Sequence, residues 1–175
     1  MRPITVKEPL ERVEIHFTEM DYADPDSKDR YILTIVDSHS KFLWMKAFPS
    51  KHAAPVAQAM LEIFSREGYP TIVQFDNGKE FTAQIVKEYL QLIDSKPIHS
   101  RPKHPQTNGQ IERLNGTFKA LLRKMTNGII GAPWSATAIA AAEQYNATYH
   151  ATIRRAPFEV LRGTRFLKMD ANGKF

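Results

Sequence analysis

No cysteine occurs among the 175 residues of this chain, which excludes a disulfide framework, a thiolate zinc site and a cysteine nucleophile. The absence of cysteine is compatible with a reducing compartment such as the cytosol or the nucleus. Long apolar runs are also missing, since the longest lies around residues 138–142 and a membrane-spanning helix needs about 20 residues. The N-terminus has no basic and apolar signal pattern. We therefore expect a soluble protein that is neither secreted nor membrane-bound.

The composition allows the chain to bury a real core, because 42% of its residues are hydrophobic, and its length predicts one domain over residues 1–175. The net charge of +5 is distributed unevenly. Residues 1–30 carry eight acids and five basic residues, whereas residues 95–125 carry seven basic residues and one acid, Glu112. Such a basic segment indicates an anionic partner, and the ordinary alternative is a solvated helix surface.

The pattern of apolar residues predicts five strands and five helices. Strands are predicted where β-branched and apolar residues alternate or cluster, at residues 13–17, 31–36, 42–45, 71–75 and 97–100. Helices are predicted where apolar residues recur at helical spacing, between Ser50, a candidate N-cap, and Gly68, and at residues 82–93, 111–125, 134–149 and 154–165. A strand meander followed by alternating helix and strand predicts an α/β fold with a mixed sheet.

Two carboxylates stand at positions that the predicted topology brings to one edge of the sheet. Asp76 ends the predicted strand 71–75, and Glu112 lies in the first turn of the predicted helix 111–125. The 35 residues between them form one helix, one strand and one loop, a unit that returns the chain to the same sheet edge. Taken singly, the aspartate is typical of a turn and the glutamate of a favourable partner for the helix dipole.

Five segments in order resemble the catalytic core of retroviral and retrotransposon integrases, most closely the gypsy-like branch. The segments are LERVEI (residues 10–15), YILTIVDSHSKF (31–42), QFDNGKEF (74–81), HPQTNGQIERLN (104–115) and YNATYH (145–150), the last followed by APFEVL (156–161). Together they span nearly the whole chain.

The resemblance implies a ribonuclease-H-like fold, in which a five-stranded mixed sheet has three antiparallel strands, then two parallel ones, and helices on both faces. It also implies DNA strand transfer as the ancestral reaction. That reaction uses a pair of Mg²⁺ or Mn²⁺ ions, which clamp the attacking and leaving oxygens and require several carboxylate ligands. By the resemblance, Asp76 and Glu112 are the second and third catalytic carboxylates and the metal ligands.

The first catalytic carboxylate of the family should lie on the strand 13–17, where this sequence has His16. Imidazole offers one nitrogen in place of two anionic oxygens and suits transition metals better than Mg²⁺. The departure therefore predicts that strand transfer is lost or impaired. Three nearby acids are candidate substitutes for the missing ligand, namely Glu14, Asp37 and Asp21.

Two other interpretations of His16 stay open at this point. The residue could belong to a transition-metal site with Asp76 and Glu112, or it could be a hydrogen-bonded histidine of a half-buried strand with no special task. Without a metal, the two carboxylates would repel each other, and a nearby histidine would relieve part of that repulsion.

The resemblance also implies DNA contacts on the loop 101–109 and on the helix that follows it. Lys119 lies two helical turns from Glu112 on the same face, with Asn115 between them. The implied DNA-binding residues are Lys119, Asn115, Lys103, Arg101 and Asn108.

We therefore expect a retroelement-derived integrase core, retained within a host protein, that binds DNA, self-associates as a homodimer, or does both. Its expected location is the nucleus, and no small-molecule substrate is evident. Two alternatives stay open. One is an active polynucleotidyl transferase or nuclease with a substitute ligand, and the other is a protein-interaction scaffold that does not bind DNA.

Overall fold

A five-stranded sheet with the order β3-β2-β1-β4-β5 organises the domain. The computed structural model describes residues 6–76, 78–99, 116, 118–129 and 131–163. The strands are β1 (Arg12–Glu19), β2 (Tyr31–Asp37), β3 (Leu43–Phe48), β4 (Ile72–Phe75) and β5 (Lys96–His99). The first three are antiparallel, β4 runs parallel to β1, and β5 runs parallel to β4. The predicted mixed α/β sheet is confirmed.

Helices cover both faces of this sheet. They are α1 (Ala53–Glu67), α2 (Gln84–Leu92), α3 (helical residues 118–125), α4 (Ser135–Ala147) and α5 (Pro157–Arg162), with a short 3₁₀ turn (Lys79–Phe81) before α2. Within the described residues, no helix combines the length and the apolar character needed to cross a membrane.

The N-cap prediction for α1 was wrong, whereas its predicted stop is confirmed. The helix begins after His52, not after Ser50, and His52 makes no side-chain capping bond. Pro55 explains the later start, because proline has no N–H and is tolerated only in the first turn of a helix. At the other end Gly68 adopts a φ of 109°, and its N–H donates to the carbonyl of Phe64.

Strand β1 directs alternate side chains to the two faces of the sheet. Val13, Ile15 and Phe17 pack in the core that the sheet forms with α1 and α2. The residues between them face the other side, on which α3 and α4 pack through Phe118, Leu122, Ala138 and Ala141. His16 therefore lies on the α3 and α4 side, and it is buried with 8% of its surface exposed.

Two buried polar side chains attach α4 to the sheet. Asn146 pairs with the backbone of strand β3, because its Oδ1 accepts the N–H of Leu43 and its Nδ2 donates to the carbonyl of the same residue, both at 2.8 Å. Asp24, in the loop between β1 and β2, accepts the N–H groups of Trp134 and Ser135 at the start of α4, at 2.5 and 2.8 Å. Both contacts fix the helix on the face that carries His16.

Candidate active site

The candidate site lies where β1 and β4 run side by side. Ile15 is paired with Phe75 in the parallel register, so the next residues along the two strands, His16 and Asp76, are neighbours. The Nδ1 atom of His16 is 3.8 Å from Oδ2 of Asp76. The histidine side chain is 10% exposed and the aspartate side chain 42% exposed, so the pair reaches the surface on the aspartate side.

The two ends of the His16 imidazole have different surroundings. Nδ1 faces the carboxylate of Asp76, whereas Nε2 is buried and has no hydrogen-bond partner among the described residues. Thr34, which lies opposite His16 on β2, is also buried, and its hydroxyl lacks a partner within the same described ranges. Buried polar atoms normally find partners, and the described residues supply none for these two atoms.

Asp76 is held as a carboxylate by its surroundings. Burial alone would raise its pKa, but His16, the backbone N–H of Gly78 and the charge of Lys51 together lower the pKa below its ordinary value. The N–H of Gly78 donates to Oδ1 of Asp76 at 2.9 Å, a contact that also shapes the turn after β4. The site thus contains an anionic carboxylate with a histidine beside it.

The family model for the integrase core domain matches residues 6–105, which is more than half of the chain. This chain belongs to the integrase core family. The match includes both His16 and Asp76.

Retroviral polyproteins and one human protein are similar in sequence to this integrase core. Over 118 residues it is 41% identical to the Pol polyprotein of radiation murine leukemia virus (strain Kaplan), and this alignment covers 65% of this chain and 19% of the polyprotein. It is 25% identical over 163 residues to KRAB-A domain-containing protein 2 of Homo sapiens, and this alignment covers 93% of this chain and 33% of that protein. The chain therefore spans a third or less of the length of these relatives.

Solved integrase structures share the fold. The catalytic core domain of HTLV-2 integrase, determined in complex with magnesium in a trimeric form, superposes with a TM-score of 0.71 at 21% identity, covering 87% of this chain and 97% of that one. A chain of the simian T-cell lymphotropic virus intasome gives 0.78 at 17% identity, covering 92% of this chain and 57% of that one. The ribonuclease-H-like fold expected from the sequence is confirmed.

Asp37 is not placed to substitute for the missing carboxylate in this integrase core. It is paired with Val13 across the antiparallel β1–β2 ladder, three positions along β1 from His16 and at the opposite end from Asp76. Its Oδ1 accepts the N–H of Leu10 at 3.0 Å, and its Oδ2 accepts the N–H and hydroxyl of Ser40 at 2.7 and 2.6 Å. The carboxylate is thus used to close the turn after β2.

The other two candidate substitutes also lie away from Asp76. Glu14 is on the same face as His16, but its register partner on β4 is Gln74, and its Oε1 accepts the hydroxyl of Ser38 at 3.0 Å. Asp21 follows β1, is 74% exposed, and lies 3.9 Å from the ammonium group of Lys119. Neither acid takes the register position opposite Asp76.

The donors that the described residues supply at the site do not fit the family's pair of Mg²⁺ or Mn²⁺ ions. Such ions prefer several carboxylate oxygens, whereas the described residues supply one carboxylate and one imidazole nitrogen. One oxygen of Asp76 accepts the N–H of Gly78, and the other faces His16. In the described ranges, no group of three or more His, Asp or Glu side chains could hold a metal ion.

Of the implied DNA-binding residues, only Lys119 belongs to the part of the chain that the structure describes. It lies on α3, whose buried residues Phe118 and Leu122 anchor the helix on the sheet. Its side chain is 36% exposed and its ammonium group faces Asp21. The other predicted site residues lie outside the described residues: Glu112, Asn115, Lys103, Arg101 and Asn108.

The sequence interpretation missed one cation at this edge of the sheet. Lys51 contributes to the lowered pKa of Asp76, although 25 positions separate the two residues in the chain. The only signal in the sequence was a lysine directly after Ser50, the candidate N-cap of the first predicted helix, and lysines are common in such positions.

Proposed function

We propose that this integrase core is a DNA-binding domain of retroelement origin that does not catalyse strand transfer. The observation that carries the proposal is the contact between His16 and Asp76, because a histidine stands where the resemblance implies the first catalytic carboxylate. The human KRAB-domain relative, which matches 93% of this chain, supports retention of the core within a host protein. A nuclear location follows from the same proposal.

Loss of catalysis follows from the charges at the site. Two divalent ions at one site need negative charge to hold them, and replacing a carboxylate with imidazole removes one negative charge and both of its oxygen ligands. The candidate substitutes do not restore these ligands, because Asp37 closes its own turn and Glu14 lies opposite Gln74. An active enzyme with a substitute ligand is therefore the less favoured function.

DNA binding is supported by the charge of α3 and of the segment before it. Residues 95–125 carry seven basic residues and one acid. Lys119 is on this segment and lies close to the end of β1, since its ammonium group is 3.9 Å from Asp21. Basic side chains on one helix at the edge of a site are suited to contact phosphate groups.

Self-association remains a prediction of this proposal. The HTLV-2 integrase core was solved in a trimeric form, which supports an oligomer without fixing its symmetry. Our expectation for this chain is a homodimer, and sedimentation of the purified domain at several concentrations tests it.

Reversing the charge of Lys119 should weaken DNA binding. We expect Lys119→Glu to lower the affinity for a duplex at least tenfold at low salt, which is about 1.4 kcal/mol, because a phosphate contact is replaced by repulsion. Fluorescence anisotropy with a labelled duplex over a range of salt concentrations measures the effect. The matched control is Lys87→Glu, which makes the same change at an exposed lysine of α2 on the other face of the sheet. Equal losses in both variants would show that only net charge matters.

Removing the partner of Lys119 should have the opposite effect. We expect Asp21→Asn to strengthen DNA binding by about two- to fivefold at low salt. The ammonium group of Lys119 then no longer has to leave a carboxylate partner before it contacts a phosphate. Asp26→Asn is the control, since it removes one charge from the same loop at an exposed position. In a Lys119→Ala background, Asp21→Asn should bind DNA no more tightly than Asp26→Asn. If Asp21→Asn still binds more tightly than Asp26→Asn in that background, Asp21 does not weaken DNA binding through its ion pair with Lys119.

A further inference from the structure

An exposed lysine is held in place over aromatic rings, one of which belongs to Phe17, the residue after His16. Lys51 lies between β3 and α1, and its ammonium nitrogen is 5.0 Å from the ring centre of Tyr31 and 5.8 Å from that of Phe17. Both distances are within the range of cation–π attraction. The lysine thus has a preferred position although it is on the surface.

The rings below Lys51 belong to a packed cluster. Phe17 contacts Tyr31 and Phe48 edge to face, at 6.3 and 5.9 Å between ring centres, and it stacks on Phe81 at 5.7 Å. Phe48 and Phe81 are buried in the core that the sheet forms with α1 and α2. Because these rings are fixed by the core, the ammonium group rests on a rigid base and loses less freedom when it binds a ligand.

The charge of Lys51 is also available to a ligand. Its side chain makes no ion pair with the carboxylates of the described residues, in contrast to Lys46, which pairs with Glu62, and Lys119, which pairs with Asp21. Phe17, which lies under Lys51, follows His16 on β1, and it stacks on Phe81, which stacks on Phe75, the residue before Asp76, at 4.9 Å between ring centres. The ammonium group therefore lies near the part of β1 and β4 that carries the pair, and its charge also helps to lower the pKa of Asp76. A positive charge therefore lies on a rigid support at the rim of the candidate site.

We propose that Lys51 is a contact for a DNA phosphate group at the rim of the His16 and Asp76 site. The proposal rests on the proposed DNA-binding function and names a residue that carries it. A phosphate that approaches the site meets the partly exposed carboxylate of Asp76, which repels it, and no divalent ion is expected there to offset the repulsion. The ammonium group of Lys51 donates a charge-assisted hydrogen bond to a non-bridging phosphate oxygen instead. Such a contact is independent of the base sequence.

The test compares DNA affinity and its salt dependence among single variants of the full chain. We expect Lys51→Ala to weaken binding of a labelled duplex three- to tenfold and to reduce the slope of log K against log salt by about 0.9, as the loss of one phosphate contact predicts. Lys87→Ala, which removes an exposed lysine of α2, should change neither quantity by a comparable amount. Lys51→Arg should keep most of the affinity, because guanidinium also rests on aromatic rings.

A second pair of variants separates the aromatic support from the charge. Tyr31→Leu removes one ring under Lys51 and keeps every charge, so we expect a two- to threefold weaker affinity with an unchanged salt slope. Tyr31→Phe keeps the ring and should bind like the wild type. Thermal unfolding of each variant verifies that it is folded before binding is measured.

The outcomes distinguish this inference from the function on which it rests. If Lys51→Ala binds as well as Lys87→Ala while Lys119→Glu binds poorly, the Lys51 contact is wrong and DNA binding stands. If the folded wild type does not bind duplex DNA at low salt, the proposed function and the Lys51 contact are both wrong.

Discussion

Replacing His16 with aspartate is expected to make the thermal stability of the domain depend on Mn²⁺. The variant places a second carboxylate at the register position opposite Asp76, where the two strands run in parallel. Two carboxylates offer the oxygen ligands that divalent ions prefer, whereas the wild-type imidazole and carboxylate do not. The wild type should therefore unfold at the same temperature in EDTA, Mg²⁺ and Mn²⁺.

The His16→Asp variant should be less stable than the wild type when no metal is present. Its new carboxylate is placed at a position that is only 8% exposed in the wild type, beside another carboxylate, so burial and like-charge repulsion both oppose its ionisation. A ligand at a hundred times its Kd stabilises a protein by about 2.7 kcal/mol. For a chain of this length that corresponds to a rise of about 5–10 °C in Tm.

The control for this experiment is His16→Asn, which has nearly the size of aspartate but no charge. Its Tm should not respond to Mn²⁺, although it also loses the contact with Asp76. A wild-type Tm that rises with Mn²⁺ as much as that of His16→Asp would show that His16 does not prevent metal binding.

Removing the carboxylate of Asp24 should destabilise the whole domain. Asp24 is 1% exposed, and its carboxylate accepts four backbone N–H groups. Two come from Trp134 and Ser135 at the start of α4, and two come from Asp26 and Ser27 in its own loop, both at 2.9 Å. Trp134, the residue at the N-cap of α4, makes no side-chain capping bond, so Asp24 supplies the cap from another part of the chain. We expect Asp24→Asn to lower the free energy of unfolding by about 3 kcal/mol, because an amide nitrogen replaces one acceptor and the negative charge is lost.

The effect of Asp24 should depend on pH in a defined direction. Burial alone would raise its pKa, but the hydrogen bonds from Ser135, Ser27, Trp134 and Asp26 outweigh burial and hold the pKa well below the usual value of 3.8. A group whose pKa is lower in the folded state contributes stability above its unfolded pKa and loses it as the pH falls through the folded one. The difference in unfolding free energy between the wild type and Asp24→Asn should thus be full at pH 7 and shrink below about pH 4.

Urea unfolding at pH 7 and at pH 3 measures both parts of this prediction. Asp26→Asn is a control from the same loop, and its exposed side chain predicts a change of less than about 0.5 kcal/mol. If Asp24→Asn proves as stable as Asp26→Asn, Asp24 does not cap α4 in solution.

The sequence was sufficient for the sheet and for the central pair of the site. Alternation along β1 and the run that ends at Asp76 predicted the two strands, and the resemblance placed His16 at the missing carboxylate. The structure then brought His16 and Asp76 to 3.8 Å. Both predictions depend on the periodicity of apolar residues and on strand register, which can be inferred from the amino-acid sequence.

Contacts between distant segments were beyond the sequence. Asp24 caps a helix that begins 111 positions further along the chain, and the charge of Lys51 acts on Asp76 over a separation of 25 positions, so neither interaction leaves a periodic signal. Asp37 was a reasonable substitute ligand by composition, but the antiparallel direction of β2 places it at the wrong end of β1. Ser50 failed as an N-cap because Pro55 determines where α1 can begin.

A single titration of labelled duplex DNA with the wild-type chain tests the central claim most directly. The titration is run in parallel with Mn²⁺, with Mg²⁺ and with EDTA, and the reaction products are then separated on a denaturing gel. We predict the same salt-dependent affinity in all three conditions and no cleaved or joined strands. Strands that are cut or joined only when Mn²⁺ or Mg²⁺ is present would contradict the account, because they would show that the domain still assembles a catalytic metal site with His16 in place.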